Sequence, residues 1–194
     1  MKQVHVVDDD EAVRDALTYL LVGEGFTVTS YESAEAFIEA GKPNDGVVVL
    51  DVRMTGMSGI ELFHELLKTP PVPPVVFLTG HGDVPLAVEA MKSGALDFHE
   101  KPFDETRFLA TVRRGLETWE REKPRQQSRA KLDERLGTLS ERERQVMEQM
   151  VAGQANKQIA HALGITVRTV EVHRANVLRK LGYRSVVNLL RDLQ

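Results

Sequence analysis

Through residue 118, strand-length apolar runs alternate with stretches in which apolar side chains recur every three or four positions. The runs lie at 4–7, 27–30, 47–50, 75–78 and 96–98, and most are rich in β-branched residues, as in Val4-His5-Val6-Val7 and Val47-Val48-Val49-Leu50. Such side chains pack well on a pleated surface and lose rotamer freedom in a helix, so strands are predicted there. Between them the spacing predicts helices at 12–22, 34–40, 59–68, 84–92 and 105–117, with Gly25, Gly41, Gly94 and the Pro70-Pro71 pair where helices stop. Five strand-helix repeats predict a small doubly wound α/β domain whose five-stranded parallel sheet is covered on both faces. Ligands of such sheets bind beyond the carboxyl ends of the strands.

From 119 to 136 the pattern breaks. This segment is almost entirely charged or polar and contains Pro124, so it predicts a helix end followed by a linker. The expected division is an α/β domain at 1–118, a helical extension and linker at 119–135, and a second domain at 136–194. Beyond Leu139 the periodicity is helical only. Ser140 and Glu143 fit a capping box, and Val146, Met147, Met150 and Val151 form an apolar stripe up to Gly153. A second helix is expected at 156–163, a tight turn at Gly164-Ile165, and a third helix capped by Thr166 and ending at Leu181. Val186, Leu189, Leu190 and Leu193 line a fourth, at 185–193. Four short helices with a glycine turn between the middle two describe a small all-α four-helix helix-turn-helix domain; a helical dimerisation module is the alternative.

Composition narrows the chemistry. The 194 residues include no cysteine, which removes disulfide scaffolds, thiolate nucleophiles and iron–sulfur clusters. No run approaches the roughly 20 apolar residues of a membrane span, and the N-terminus passes from a short apolar segment straight into acids, unlike a signal peptide. A cytoplasmic protein with no membrane partner is expected. The net charge of −4 conceals an asymmetry: residues 1–123 hold 12 Lys/Arg against 22 Asp/Glu, a net of −10, whereas 124–194 hold 13 against 7, a net of +6. The basic part suits a polyphosphate, because neutralising phosphates releases condensed counterions; the acidic part does not.

At the predicted strand ends stand Asp8, Asp9, Asp10 and Glu11 after the first, Asp51 after the third, Thr79 after the fourth, and Lys101 with Pro102 after the fifth. Carboxylates from separate strands repel each other in one crevice unless a cation compensates them, and an oxygen-rich set suits Mg²⁺. Each feature has a plainer alternative. Acids fill the first turn of a helix, Thr79 could cap a turn, Lys101 could be solvated and Pro102 could serve a turn.

Val7-Asp8-Asp9-Asp10-Glu11, Leu50-Asp51-Val52-Arg53-Met54 with Met57-Ser58-Gly59, Thr79-Gly80-His81-Gly82-Asp83 and Lys101-Pro102-Phe103 together resemble the receiver domain of two-component response regulators over residues 4–118, a flavodoxin-like fold. The resemblance implies that Asp51 takes a phosphoryl group from a sensor histidine kinase. It implies Mg²⁺ held by Asp9, Asp51 and the Arg53 carbonyl, with Asp8 close by or acting through water. Lys101 and Thr79 would meet the phosphoryl oxygens, and the Lys101-Pro102 peptide would be cis. Phe98 would turn inward as Thr79 swings, although it also reads as a core aromatic. Receivers of this family dimerise through a face here at 84–117, which carries Val84, Leu86, Met91, Lys92, Phe108, Arg113 and Arg114. Slow self-dephosphorylation follows from the product being hydrolysable. Thr55 departs from the family, which usually has proline there, and that puts the stiffness of the loop beside Asp51 in question. A phosphotransferase or phosphatase of the haloacid-dehalogenase kind also uses an aspartyl phosphate, but its second acid would fall at Arg53. Turnover of an external substrate is therefore not expected. A regulator that works without phosphorylation is the third reading, and the complete acidic set weighs against it.

Leu139-Ser140-Glu141-Arg142-Glu143, Asn156-Lys157-Gln158-Ile159-Ala160 and Arg168-Thr169-Val170-Glu171-Val172-His173 with Asn176 resemble the LuxR-type helix-turn-helix of the NarL/FixJ regulators. Helical spacing turns Val170, Val177, Leu178 and Leu181 inward and leaves Arg168, Glu171, Val172, Ala175 and Arg179 outward on a recognition helix. Arg168 could pair with guanine, Glu171 with a cytosine amine and Val172 with a thymine methyl. Glu171 could instead orient a neighbouring arginine. Lys157, Thr166, Thr169, Arg174 and Lys180 are candidates for phosphate contacts, which position without specifying. The family implies a phosphorylation-dependent homodimer on a two-fold promoter site, with RNA polymerase as a further partner.

Overall fold

The computed structural model describes residues 2–43, 45–80 and 84–193, excepting the side chains of Val84, Ala87, Asp192 and Leu193. The motif residues His81, Gly82 and Asp83, and the Val84 and Leu193 side chains named above, lie outside that set.

Five parallel strands, β1 (Gln3–Val7), β2 (Thr27–Tyr31), β3 (Val47–Asp51), β4 (Val75–Thr79) and β5 (Asp97–Glu100), form one sheet in the order β2-β1-β3-β4-β5. Strands β3 and β4 are buried at every position, as unbroken apolar runs require, while edge strand β2 is largely exposed. Alternation splits the core in two. Val4, Val6, Val47, Val49, Val76 and Leu78 face α1 (Glu11–Gly23) and α5 (Glu105–Gly137), where Leu17, Leu21, Phe108, Val112 and Leu116 pack on them. Val7, Val48, Leu50, Val75 and Phe77 face the layer of α2 (Ala34–Glu39), α3 (Gly59–Leu67) and α4 (Val84–Lys92), where Phe37, Leu62, Phe63, Leu66 and Ala90 pack. The order reverses between β1 and β3, and such a switch point opens a crevice at the carboxyl ends.

Four elements differ from the sequence pattern in ways that matter. Strands β3 and β4 run one residue past their apolar runs, so Asp51 and Thr79 are themselves strand residues. Strand β5 is shifted to 97–100, with Val76 opposite Asp97 and Thr79 opposite Glu100, which brings Lys101 to the same edge. The larger difference is α5, which does not end at 117 but is helical for 33 residues, with Pro124 inside it. Glu, Arg, Lys, Gln and Ala dominate this stretch and are strong helix formers, so a missing apolar period does not stop the helix. Pro124 forfeits one backbone hydrogen bond. Trp119 and Leu132 are buried, and the Gln126 side chain accepts the Val72 amide at 2.8 Å. The chain divides into two compact units, one through Gln127 and one from Ser128.

The second unit contains α6 (Glu141–Val151), α7 (Asn156–Leu163), α8 (Val167–Leu181) and α9 (Val186–Leu193) around Val146, Met150, Ile159, Val170, Val177, Leu181 and Leu189. Ser140 and Glu143 form the capping box of α6, and Thr166 caps α8 by accepting the Thr169 amide at 3.1 Å. Gly164 ends α7 in the left-handed region at φ 64°, where a side chain would be strained. Among the described residues no helix is long and apolar enough to cross a membrane.

Glu143 is buried, accepts the Ser140 amide, and receives the Lys180 ammonium at 2.6 Å, which joins the start of α6 to the end of α8. The Lys180 hydrogen bond, ahead of the Ser140 amide, holds the Glu143 carboxyl down at about 2, against an ordinary 4.5. A carboxyl depressed in the folded state stabilises the fold above its unfolded value and loses that contribution as pH falls through the folded one. Glu143→Gln should therefore lower the denaturation midpoint of the full chain at neutral pH, and the gap should close as pH falls from 4.5 toward 2. A gap that stays constant over that range would contradict the assignment.

Candidate functional site

At the carboxyl edge of the sheet, β1 delivers Asp8, β3 delivers Asp51, β4 delivers Thr79 and β5 delivers Lys101. The Lys101 ammonium donates to Asp8 Oδ2 at 2.7 Å and to Asp51 Oδ1 at 2.6 Å. Both acids are buried, and their remaining oxygens are also used: Asp8 Oδ1 accepts the Asp10 amide at 2.9 Å and Asp51 Oδ2 accepts the Arg53 amide at 2.7 Å. A second cation stands close by, since Arg14 of α1 donates to the Asp8 carbonyl at 2.8 Å. Asp10 caps α1 by accepting the Ala12 amide, so within the acidic run it does the structural work.

Burial pushes the Asp51 carboxyl up from its ordinary 3.8, with the Lys101 hydrogen bond pulling the other way. Burial also works to lower Lys101, but its hydrogen bonds to Asp51 and Asp8 outweigh this and leave it above the usual 10.5. Two carboxylates out of water beside one ammonium are held together by that ammonium. The polypeptide allows the approach at one further point. A Cβ on Gly59, at the start of α3, would stand 2.0 Å from the Asp51 carbonyl oxygen, so only glycine lets α3 begin so close to the strand.

Asp9 is engaged elsewhere. It is exposed, and its Oδ2 accepts both the Thr55 amide at 2.8 Å and the Thr55 hydroxyl at 2.9 Å. The amide bond first, and the hydroxyl with it, holds the Asp9 carboxyl below the usual carboxylate range. The same loop is pinned from α2, where Glu35 accepts the Met57 amide at 2.9 Å, and by the Ser58–Glu61 capping box of α3. Among the described residues no three acid or imidazole side chains are grouped as metal ligands. The structure thus joins Asp8, Asp51 and Lys101 directly and leaves Asp9 beside them on the loop.

The Thr79 hydroxyl is buried and has no hydrogen-bond partner among the described residues. Its carbonyl accepts the Lys101 amide at 2.6 Å, and the Lys101–Pro102 peptide is cis. Phe98 is half-buried at the margin of the core. Next to it, Thr111 of α5 donates to Asp97 at 3.2 Å and pairs with buried His99, and Arg114 reaches Asp97 at 2.9 Å, which fastens β5 to α5.

In the second unit Val170, Val177 and Leu181 are buried, while Arg168, Glu171, Val172, Ala175 and Arg179 are exposed on one side of α8. Arg179 bonds the Asn176 side chain at 3.0 Å. Lys157 is exposed on α7, Thr166 is exposed at the cap of α8, and Thr169 and Arg174 are half-buried. Lys180 is different: its ammonium is spent on Glu143 and on the Thr138 carbonyl at 3.1 Å. Sequence reasoning gave no role to Arg14, Glu35, Gly59, the Thr55 hydroxyl or the Glu143–Lys180 pair. Glycine before an apolar helix and a hydroxyl in place of proline were the available signals for Gly59 and Thr55.

Residues 4–113 match the response regulator receiver domain family, and residues 137–192 match the bacterial regulatory proteins of the luxR family. The chain belongs to the response regulators. This response regulator is 51% identical to the transcriptional regulatory protein FixJ of Azorhizobium caulinodans over 97% of its own length and 90% of that protein's. It is 48% identical to FixJ of Rhizobium meliloti over 97% and 93%. It is 44% identical to the C4-dicarboxylate transport regulator DctR of Rhodobacter capsulatus over 97% of each chain. Among solved structures it is similar to the response regulator StyR, with a TM-score of 0.65, 41% identity and coverage of 98% and 97%. Full-length FixJ from B. japonicum matches with a TM-score of 0.59, 44% identity and coverage of 98% and 95%. This response regulator is accordingly a two-component regulator of transcription with a kinase-facing receiver and a promoter-binding LuxR-type domain, and not an enzyme of the dehalogenase kind.

Proposed function

We propose that Asp51 accepts a phosphoryl group from a sensor histidine kinase in the cytoplasm, and that this charge controls dimerisation and promoter binding. The observation that carries the reading is Lys101 held between Asp8 and Asp51 at the carboxyl edge of the sheet. An oxygen of Asp51 bonds phosphorus as the donor's phosphorus–nitrogen bond breaks, and negative charge spreads over the three equatorial oxygens. Lys101 is already within reach of the attacking carboxylate and offers a compact cation to one of them. Thr79 has a buried hydroxyl, without a partner among the described residues, for another.

The donor set fits Mg²⁺: it is all oxygen, Asp8 and Asp51 have one lysine between them, and Asp9 adds a further negative charge. Asp9, Asp51 and the Arg53 carbonyl would hold the ion, with Asp8 beside it, and the ion supplies charge neutralisation between Asp51 and the incoming phosphate. Water attack on the acyl phosphate sets a slow self-dephosphorylation.

The new charge draws Lys101 and Thr79 and lets Phe98 move inward, which alters the α4-β5-α5 face. Val88 and Met91 are exposed on α4, so that face carries apolar surface for a reversible dimer. Dimerisation places two recognition helices on a two-fold site, and tethering makes the second half-site contact effectively intramolecular. Arg168, Glu171, Val172, Ala175 and Arg179 face bases; Lys157, Thr166, Thr169 and Arg174 face phosphates. Lys180, spent on Glu143, is the weakest candidate for a phosphate. RNA polymerase then meets the promoter-bound dimer.

Treatment of the full chain with acetyl phosphate and Mg²⁺ should add one phosphoryl group, seen by mass spectrometry and absent from Asp51→Asn. Persistent labelling of Asp51→Asn, or none in the wild type, would overturn the assignment. Against duplex DNA of random sequence, Lys157→Ala should weaken binding and reduce the salt slope by about 1. An unchanged slope would remove Lys157 from the phosphate contacts.

A further inference from the structure

Thr55 directs both of its donors, the amide and the hydroxyl, at a single oxygen of Asp9. Proline, the residue usual at this position in the family, could make neither bond: it has no amide hydrogen and no hydroxyl. A chain with proline here would lack the grip. The grip also has a direction. Asp8 and Asp51 converge on Lys101, whereas Asp9 is drawn toward the loop after β3, and no three acids are gathered as ligands among the described residues.

We propose that Thr55 is a positioning residue that latches Asp9 away from the divalent-cation site, so that loading the cation must displace both Thr55 hydrogen bonds. This rests on the reading of Asp9 as a cation ligand. A carboxylate oxygen with two donors is already satisfied, and an incoming cation gains only what exceeds those bonds. The consequence reaches the backbone. Thr55 lies between Arg53, whose amide donates to Asp51 at 2.7 Å, and Met57, whose amide donates to Glu35 at 2.9 Å. Where proline would stiffen this loop covalently, here a hydrogen-bonded pin stiffens it, and the pin is released when Asp9 turns toward a cation. Cation loading and the freedom of the loop beside Asp51 are thereby coupled.

The test is a Mn²⁺ titration, read as the electron paramagnetic resonance signal of free Mn²⁺, of the full chain carrying Thr55→Ser, Thr55→Ala or Thr55→Pro, with Asp51→Asn as the control for the site. Thr55→Ser keeps both donors and should bind as the wild type does. Thr55→Ala loses the hydroxyl and should bind more tightly, and Thr55→Pro loses both donors and should bind tightest, by about five- to tenfold over the wild type. Circular dichroism checks the fold of Thr55→Pro; if it fails, Thr55→Ala against Thr55→Ser decides the matter alone. Equal or weaker binding by Thr55→Ala and Thr55→Pro overturns the latch while leaving the cation site standing. Absence of wild-type binding, or binding indifferent to Asp51→Asn, overturns the cation reading and the latch with it.

Discussion

A single ammonium reconciles two buried carboxylates, and the receiver half is arranged around that fact. Lys101 follows β5, Asp8 follows β1 and Asp51 ends β3, and the strand order β2-β1-β3-β4-β5 brings them to one edge. Without Lys101, burial would penalise both charges and their mutual repulsion would add to the penalty. The balance is also what makes the place sensitive. Any further negative charge on Asp51 changes what Lys101 must satisfy, and the cis peptide after Lys101, the Thr79 carbonyl on its amide and the half-buried Phe98 are its immediate surroundings.

Much of this was legible from residue order because it depends on local periodicity. Apolar runs such as Val47 to Leu50 can hardly be anything but buried strands, and the acids, threonine and lysine follow them at positions the doubly wound topology brings together. What escaped was of two kinds. Helix α5 continues past 117 because charged residues favour helix without leaving an apolar trace, so the pattern ends before the helix does. Contacts between segments distant in sequence leave no periodic trace: Thr55 on Asp9, Glu35 on the Met57 amide, Gln126 on Val72 and Lys180 on Glu143. For Lys180 this matters to function, since a lysine that looks basic in sequence is electrically committed inside its own domain.

The two units use charge differently. In the second, the paired ions lie within the fold, Glu143 with Lys180, while Arg168, Arg179 and Lys157 remain outward. That separation lets a small domain present a basic face without destabilising its interior. In the first unit two buried acids, Asp8 and Asp51, meet at one sheet edge and are countered internally by Lys101, so the charge of that edge turns on how they are satisfied.

The most direct test of this account is a carboxyl ¹³C NMR titration of Asp51 in the wild type and in Lys101→Met. The wild-type carboxyl should titrate above 3.8, and removal of the ammonium should push it higher, because burial and Asp8 are then countered by the Arg53 amide without the lysine. An Asp51 that titrates at or below its ordinary value, or that is unmoved by Lys101→Met, would mean that the lysine does not hold the acidic pair together, and the switch built on it would lose its footing.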